Sequence, residues 1–302
     1  MLNKFLANNH QQPPVFILGT GRSGTTLLQR IINSAENVVI WGEHGGFLSQ
    51  IAEAYFLNFE DKTILHNIPL RNNPFDTPQA KAQQLKNSKL WPAWCNWYSQ
   101  KEVKDIFRSL IKNFFKPPNV TKNVSWGFKE IKYGQGCRTL EMLADLYPDA
   151  KFIFIIRDPV DVIAAYFFKY LKKQSGLGDR LTISQAKNLK ENCEFSIARE
   201  AEAWRKQNTY FRDFKAKNSP TSLLVVYENL IADPSIAEST LKWLGVSYSN
   251  EKIWSILAMK EGRGESLKAE AGKARSILTD HEIDQIREIT KQVTKEFELV
   301  TK

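Results

Sequence analysis

Cysteine is scarce. Only Cys95, Cys137 and Cys193 occur in 302 residues, and their odd number and wide spacing exclude a disulfide framework or a zinc-ligand pattern. Reduced, mostly buried thiols are the expectation. Long apolar runs are missing too: none approaches the roughly 20 residues of a membrane span, and the opening Met-Leu-Asn-Lys-Phe-Leu-Ala-Asn-Asn-His holds no signal-peptide segment. The expectation is a cytoplasmic protein without a membrane partner. Despite a formal net charge of +9, no RNA-recognition motif, zinc finger or helix-turn-helix signature occurs. The lysines are scattered through amphipathic stretches as solvated faces, so nucleic acid is not expected as a partner, and a ligand with several phosphates better suits the local positive charge. Repeats and low-complexity linkers are absent. A hydrophobic share of 42% can fill the core of one large α/β domain or two small ones.

What is present begins with Val15-Phe-Ile-Leu-Gly-Thr-Gly-Arg-Ser-Gly-Thr-Thr-Leu-Leu-Gln29, which reads as strand, tight loop and helix start in one run. Val15 to Leu18 are apolar and β-favouring, as in a strand buried on both faces of a parallel sheet. Gly19, Gly21 and Gly24 permit approaches that a Cβ would forbid, and Leu27, Leu28, Ile31 and Ile32 recur at helical spacing, so a helix begins near Thr25. Such a junction aims backbone N–H groups and the positive end of a helix dipole at one point, which suits a phosphate. Gly19 to Thr26 fits the pattern G-x-x-x-x-G-K-[ST] except at Thr25, where the lysine is missing. In nucleoside triphosphatases that lysine reaches the β- and γ-phosphates; this loop suits a phosphate that is held rather than transferred. Arg22 places a permanent cation in the loop, and Ser23, Thr25 and Thr26 add hydroxyls. Together with Gly21 and Gly24 they are the candidate ligand-binding residues here.

A second junction lies at Phe152-Ile-Phe-Ile-Ile-Arg-Asp-Pro159, a strand ending in Arg157 with Pro159 placed to open a helix. The two motifs together resemble the 5′-phosphosulfate loop and the 3′-phosphate element of sulfotransferases that use 3′-phosphoadenosine 5′-phosphosulfate (PAPS) and release PAP. The resemblance implies a P-loop-type α/β fold, PAPS as donor with no metal, and Arg157 on the 3′-phosphate, a bidentate task that arginine meets better than lysine. The serine that the family commonly carries eight positions after this arginine is Ala165 here, so another donor has to serve.

Further strands are expected at Asn37–Trp41, Trp126–Tyr133 and Ser222–Glu228, with helices through Leu140, Leu143 and Leu146, through Val162 to Tyr170, broadly over 184 to 216, after Asp233-Pro234, and from about 279 to 299. Alternating strands and helices imply a doubly wound parallel sheet flanked by helices in a single domain spanning 1–302. Residues 47 to about 125, interrupted by Pro69, Pro74, Pro78 and Pro92, read as a helical insertion over the acceptor side, with one amphipathic helix marked by Ile106, Phe107, Leu110, Ile111 and Phe114. Its cluster Trp91, Trp94, Trp97 and Tyr98 serves either as core or as walls for an aromatic acceptor. The glycine-bearing stretch 259–276 is a surface loop or a basic flap closing over nucleotide phosphates, with Lys273 and Arg275 best placed to reach them.

Sulfuryl transfer needs a base for the acceptor proton and cations or N–H donors for charge on the leaving phosphate. The Gly42-Glu43 pair after the first helix resembles protein-tyrosine sulfotransferases and their bacterial relatives more than the cytosolic small-molecule type, whose base is a later histidine; none occurs here between His66 and His281. The resemblance makes Glu43 the base, with His44 the alternative, and Lys129 of Gly-Phe-Lys-Glu a cation beside the transferring group with Arg22. By pattern alone Lys129 is a solvated strand residue, and Glu130 is its ion-pair partner or faces the other way. Tyr227, after the Ser222 strand, resembles a tyrosine near the nucleotide. The expected acceptor is a hydroxyl or amine of a small molecule or natural product. The rivals are a P-loop kinase of a small metabolite, against which Thr25 stands, and a non-catalytic basic nucleotide- or nucleic-acid-binding protein.

Overall fold

The computed structural model describes residues 12–62, 100–118, 124–190, 193–258, 260–261, 265–266 and 273–297. The chain divides into two compact units, one of residues 1–45, 117–135 and 150–302, the other of residues 46–116 and 136–149.

The first unit is built on five parallel strands, β1 (Val15–Gly19), β2 (Val38–Trp41), β3 (Ser125–Glu130), β4 (Lys151–Ile156) and β5 (Ser222–Val226), in the order β2-β3-β1-β4-β5. The strand period of two sorts the side chains. On one face Val15, Ile17, Ile153, Ile155 and Val225 form an aliphatic layer, against which α1 (Thr25–Asn33) and the helices Pro234–Leu244 and Asn250–Ala258 lay Leu28, Ile32, Leu241 and Ile253. The other face is aromatic. Phe16 meets Phe128 and Phe152 across the register, at ring separations of 4.7 and 5.4 Å. Phe211 and Phe214 of the helix Ile197–Lys217 then pack on Phe154 and Phe152. Helices on both faces make the sheet doubly wound, as the alternation of elements implies.

Several boundaries differ from the sequence reading. The polar helix expected over 184–216 is two helices, Ile183–Leu189 and Ile197–Lys217, because Thr182 and Ser196 each cap a new start by accepting a backbone N–H. Strand β5 stops at Val226, and Tyr227 opens the short helix Tyr227–Ala232. In β3 the charged residues are not solvated: Lys129 and Glu130 are both buried, because β3 lies between β2 and β1 and an interior parallel strand is covered on both faces. Cys137 and Cys193 are half-buried rather than buried, and Cys95 lies outside the described residues. Within 259–276, Lys260–Glu261 and Glu265–Ser266 form a short antiparallel pair and Lys273–Ile277 a 3₁₀ turn; the rest of that stretch lies outside the described residues.

The second unit contains the helices Leu48–Glu60, Gln100–Phe115 and Thr139–Leu146. Tyr55 is its buried centre: the hydroxyl donates to Asp145, which also accepts from Lys104 at 2.6 Å, while Phe59 and Phe107 pack on the ring. The helix marked by Ile106 to Phe114 is present, but its buried residues are Val103, Ile111 and Phe115, whereas Ile106, Leu110 and Phe114 are exposed. The Trp91, Trp94, Trp97 and Tyr98 cluster and the four prolines lie outside the described residues. Among the described residues no helix is long and apolar enough to cross a membrane.

Candidate active site

Strand register assembles the site. Gly19 pairs with Ile155, Trp41 with Phe128 and Ile156 with Val226, so the residues that follow each strand come together at the carboxyl edge of the sheet, where open α/β sheets bind ligands. The loop after β1, the Glu43 turn after β2, Lys129 and Glu130 ending β3, Arg157 after β4 and Tyr227 after β5 converge there from five separate parts of the chain.

The loop after β1 is held open by its own bonds. Ser23 donates from Oγ and from N to the Thr20 carbonyl, at 2.6 and 3.3 Å; its hydroxyl holds the shape of the loop, and Ser23 is not among the residues lining the cavity described below. Arg22 takes a positive φ of 67°, uncommon for a residue with a side chain, and its carbonyl accepts from Arg157 at 3.1 Å. Gly24, at φ 92°, precedes α1 without a side-chain cap, which among the described residues leaves the first-turn N–H groups without a capping side chain. By contrast Asp158, Asp233 and Thr279 cap other helices of this unit. Tyr166 was not singled out from the sequence as a site residue. Its hydroxyl packs so closely on Gly21 that a Cβ there would come within 2.0 Å of it, and burial raises its pKa.

Glu43, His44, Lys129 and Glu130 form two separate sets of contacts. Lys129 Nζ donates to Glu43 Oε1 at 2.6 Å and lies 3.5 Å from Thr26 Oγ1, so it bridges the phosphate loop and the proposed base. The pair is uneven: the Lys129 side chain is 6% exposed and that of Glu43 43%. Glu130 faces away from this pair. Its carboxylate accepts from the backbone N–H groups of Ile131, Lys132 and His44 at 2.8, 3.2 and 3.1 Å. The His44 ring lies edge-on to Phe128, with Nε2 2.5 Å from the Tyr133 hydroxyl and Nδ1 3.5 Å from Glu130. Burial outweighs that carboxylate and lowers the His44 pKa. The His44 ring is thus held against Phe128, Tyr133 and Glu130, and His44 is not among the residues lining the cavity described below.

Arg157 lies 4.5 Å above the Tyr227 ring and 3.6 Å from Asp161, while its buried Nε meets no acceptor among the described residues. Arg275 approaches Asp158 and Asp161 at 3.6 and 3.8 Å. Burial raises the pKa of Asp158, helped by the Asp161 charge. It also raises that of Glu228, whose Oε1 accepts from Asp158 N at 2.9 Å. The backbone of Lys273 belongs to the 3₁₀ turn, but its side chain lies outside the described residues. A cavity of about 650 Å³ at this edge is lined by Gly21, Arg22, Gly24, Thr25, Thr26, Glu43, Arg157, Tyr166, Tyr227 and Arg275, and also by Ala165, Lys169 and Lys172. Lys129 reaches the cavity only through Glu43 and Thr26. Among the described residues no group of three His, Cys, Asp or Glu side chains could hold a metal.

A parallel α/β sheet with a lysine-free glycine loop between its first strand and α1, and arginines at its carboxyl edge, defines a P-loop-type fold. A sulfotransferase-family model matches residues 13–250, and the chain belongs to that family. Sulfuryl transfer is accordingly its class of chemistry. The sulfotransferase domain of the Synechococcus PCC 7002 olefin synthase is similar at TM-score 0.56 and 20% identity, covering 98% of each chain. A sulfotransferase domain from the curacin biosynthetic pathway gives 0.53 at 16% identity, covering 95% of this chain and 98% of its own. At such identities the likeness concerns the fold. No curated protein matches the chain in sequence.

Proposed function

We propose that the chain, acting as one sulfotransferase domain, transfers the sulfuryl group of PAPS to a hydroxyl or amine of a small-molecule acceptor, with Glu43 as general base. The observation that carries this reading is the Thr26–Lys129–Glu43 bridge, which joins the phosphate loop to a carboxylate on the wall of the same cavity. The residues fit a doubly anionic nucleotide. The uncapped first turn of α1, with Gly21, Arg22, Gly24, Thr25 and Thr26, suits the 5′ end, and Arg157, whose buried Nε lacks an acceptor among the described residues, suits the 3′-phosphate with Arg275 nearby. Tyr227 supports Arg157 from below, and Lys273 is a further candidate for the phosphates. A volume of about 650 Å³ lies within the roughly 300–1,000 Å³ of ligand pockets.

PAPS supplies an activated sulfuryl group and a stable leaving group. Glu43 takes the acceptor proton at Oε1 or Oε2, and Lys129 and Arg22 present fixed positive charge where negative charge develops, with no reorganisation at the moment of reaction. A natural-product or other small acceptor is supported by the neighbours, which are sulfotransferase domains of an olefin synthase and a biosynthetic pathway. The test is calorimetric titration with PAP, and with ATP and magnesium, of the wild type and Arg157→Ala, followed by an acceptor screen against Glu43→Gln. Metal-independent PAP binding lost in Arg157→Ala and turnover lost in Glu43→Gln are expected. Preference for ATP with magnesium, or no nucleotide binding, would overturn the reading.

A further inference from the structure

Two neighbouring residues at the end of β3 grip two neighbouring residues of the turn after β2. Lys129 takes the Glu43 carboxylate at 2.6 Å, and on the opposite side Glu130 takes the His44 N–H at 3.1 Å. Glu130 is fully buried, where an ionised carboxylate is costly unless its oxygens are bonded. Oε1 accepts from Ile131 and Lys132, which locks the end of β3; Oε2 accepts from His44, which ties the turn to it. Phe128 and Tyr133 close on the His44 ring and leave the turn little room to shift.

We propose that Glu130 is a positioning residue for the reaction: through the His44 N–H it fixes the backbone of Glu43, so that the carboxylate half-exposed on the cavity wall meets Lys129 and the acceptor rather than solvent. The role rests on Glu43 being the base. It is needed because, among the described residues, Lys129 is the one side-chain partner of the Glu43 carboxylate, and an active-site displacement of about 1 Å can cost about 10²-fold in rate.

Glu130→Gln is the isosteric test. Its amide can present one carbonyl oxygen, so the bonds to the end of β3 and the bond to His44 are no longer both made. Activity is normalised to the number of PAP-binding sites measured by calorimetry, which removes unfolded protein from the comparison. The expected result is a fall in turnover per site of about 10²-fold, with the KM for PAPS and the PAP affinity within about twofold of wild type, because the Glu130 carboxylate bonds go to the N–H groups of Ile131, Lys132 and His44, away from Arg157 and the proposed phosphate contacts. Leu241→Val, a core substitution in the helix Pro234–Leu244, is the stability control and should leave turnover per site unchanged. If Glu130→Gln does not fold, Glu130→Asp, which keeps the charge and withdraws it by one methylene, should show the same split. Unchanged turnover in a folded Glu130 variant, or turnover and PAP affinity falling together, would overturn the proposal. Full activity in Glu43→Gln would instead overturn the base reading, whereas an inactive Glu43→Gln beside a fully active Glu130→Gln would overturn the positioning role alone.

Discussion

Gly24→Ala tests how the phosphate loop, Tyr227 and Arg157 depend on one another. Gly24 has φ 92°, and a Cβ there would lie 2.3 Å from Tyr227 Cδ2 and 2.6 Å from Cε2. Tyr227 cannot retreat freely: it is 5% exposed, belongs to the aliphatic core layer and lies under Arg157 at 4.5 Å. Two penalties therefore add. The backbone conformation costs an alanine about 1–2 kcal/mol, and forcing a methyl into the packed ring costs about 1–3 kcal/mol. Gly136 separates them, because it has φ 93° but nothing within 4 Å of its Cβ position. Gly136→Ala carries only the backbone penalty, so urea denaturation should find Gly24→Ala less stable than Gly136→Ala by about 1–3 kcal/mol. In a Tyr227→Ala background that excess should vanish, as expected for two groups in contact. The functional consequence follows through Arg157: a displaced ring gives up part of a cation–π contact of about 0.5–2 kcal/mol, which weakens PAP binding roughly 2- to 30-fold. Gly136→Ala should leave PAP affinity unchanged. Equal costs for the two alanines, or an excess that survives in Tyr227→Ala, would refute the reasoning.

Lys129→Met removes the cation between Thr26 and Glu43 and should lower the single-turnover rate by about 10²–10³-fold, with a smaller effect on PAP affinity. Stability should follow the uneven burial of that pair: Glu43→Ala strands a nearly buried ammonium and is expected to destabilise more than Lys129→Met, which strands a carboxylate already 43% exposed; the reverse order in urea melts would contradict the pairing. Burial raises the Glu228 pKa in the folded protein, so the native state holds that proton more tightly than the unfolded chain, and stability is lost as pH rises through the folded value. Glu228→Gln keeps an acceptor for Asp158 N without the charge, so its stability should gain on wild type from the ordinary carboxylate range upward and converge below it; a wild type that gains on the variant as pH rises would rule this out. Phe16→Leu opens the aromatic row between Phe128 and Phe152 and should cost about 1–3 kcal/mol by denaturation without altering PAP affinity.

Local order was legible in the sequence wherever a short stretch carries its own physical signal. The apolar runs at Val15 and Phe152, the glycines of the loop and Pro159 after Asp158 each specify a strand, a turn or a helix start through contacts within a few residues, and the alternation of elements specifies a wound parallel sheet. The lysine missing at Thr25 already argued against γ-phosphoryl transfer. Failures arose where the deciding contact is distant. By pattern alone Lys129 read as a solvated strand residue and the direction of Glu130 stayed open, and only the place of β3 inside the sheet buries both. The break between the two helices, by contrast, was a local signal passed over, since Thr182 with Gln185 forms a capping box and Ser196 caps the next start. Nothing near Glu43 in sequence says whether it or His44 faces the cavity; the register of β2 on β3 leads to bonds between residues 86 apart, which give Glu43 to Lys129 and His44 to Glu130. Tyr166 likewise gains its role only because its helix lays the phenol against Gly21. Sequence by itself determined the elements and their chemistry, because those follow from propensity and spacing along the chain; tertiary structure decided the partners, because a parallel sheet brings together residues whose only relation is strand order.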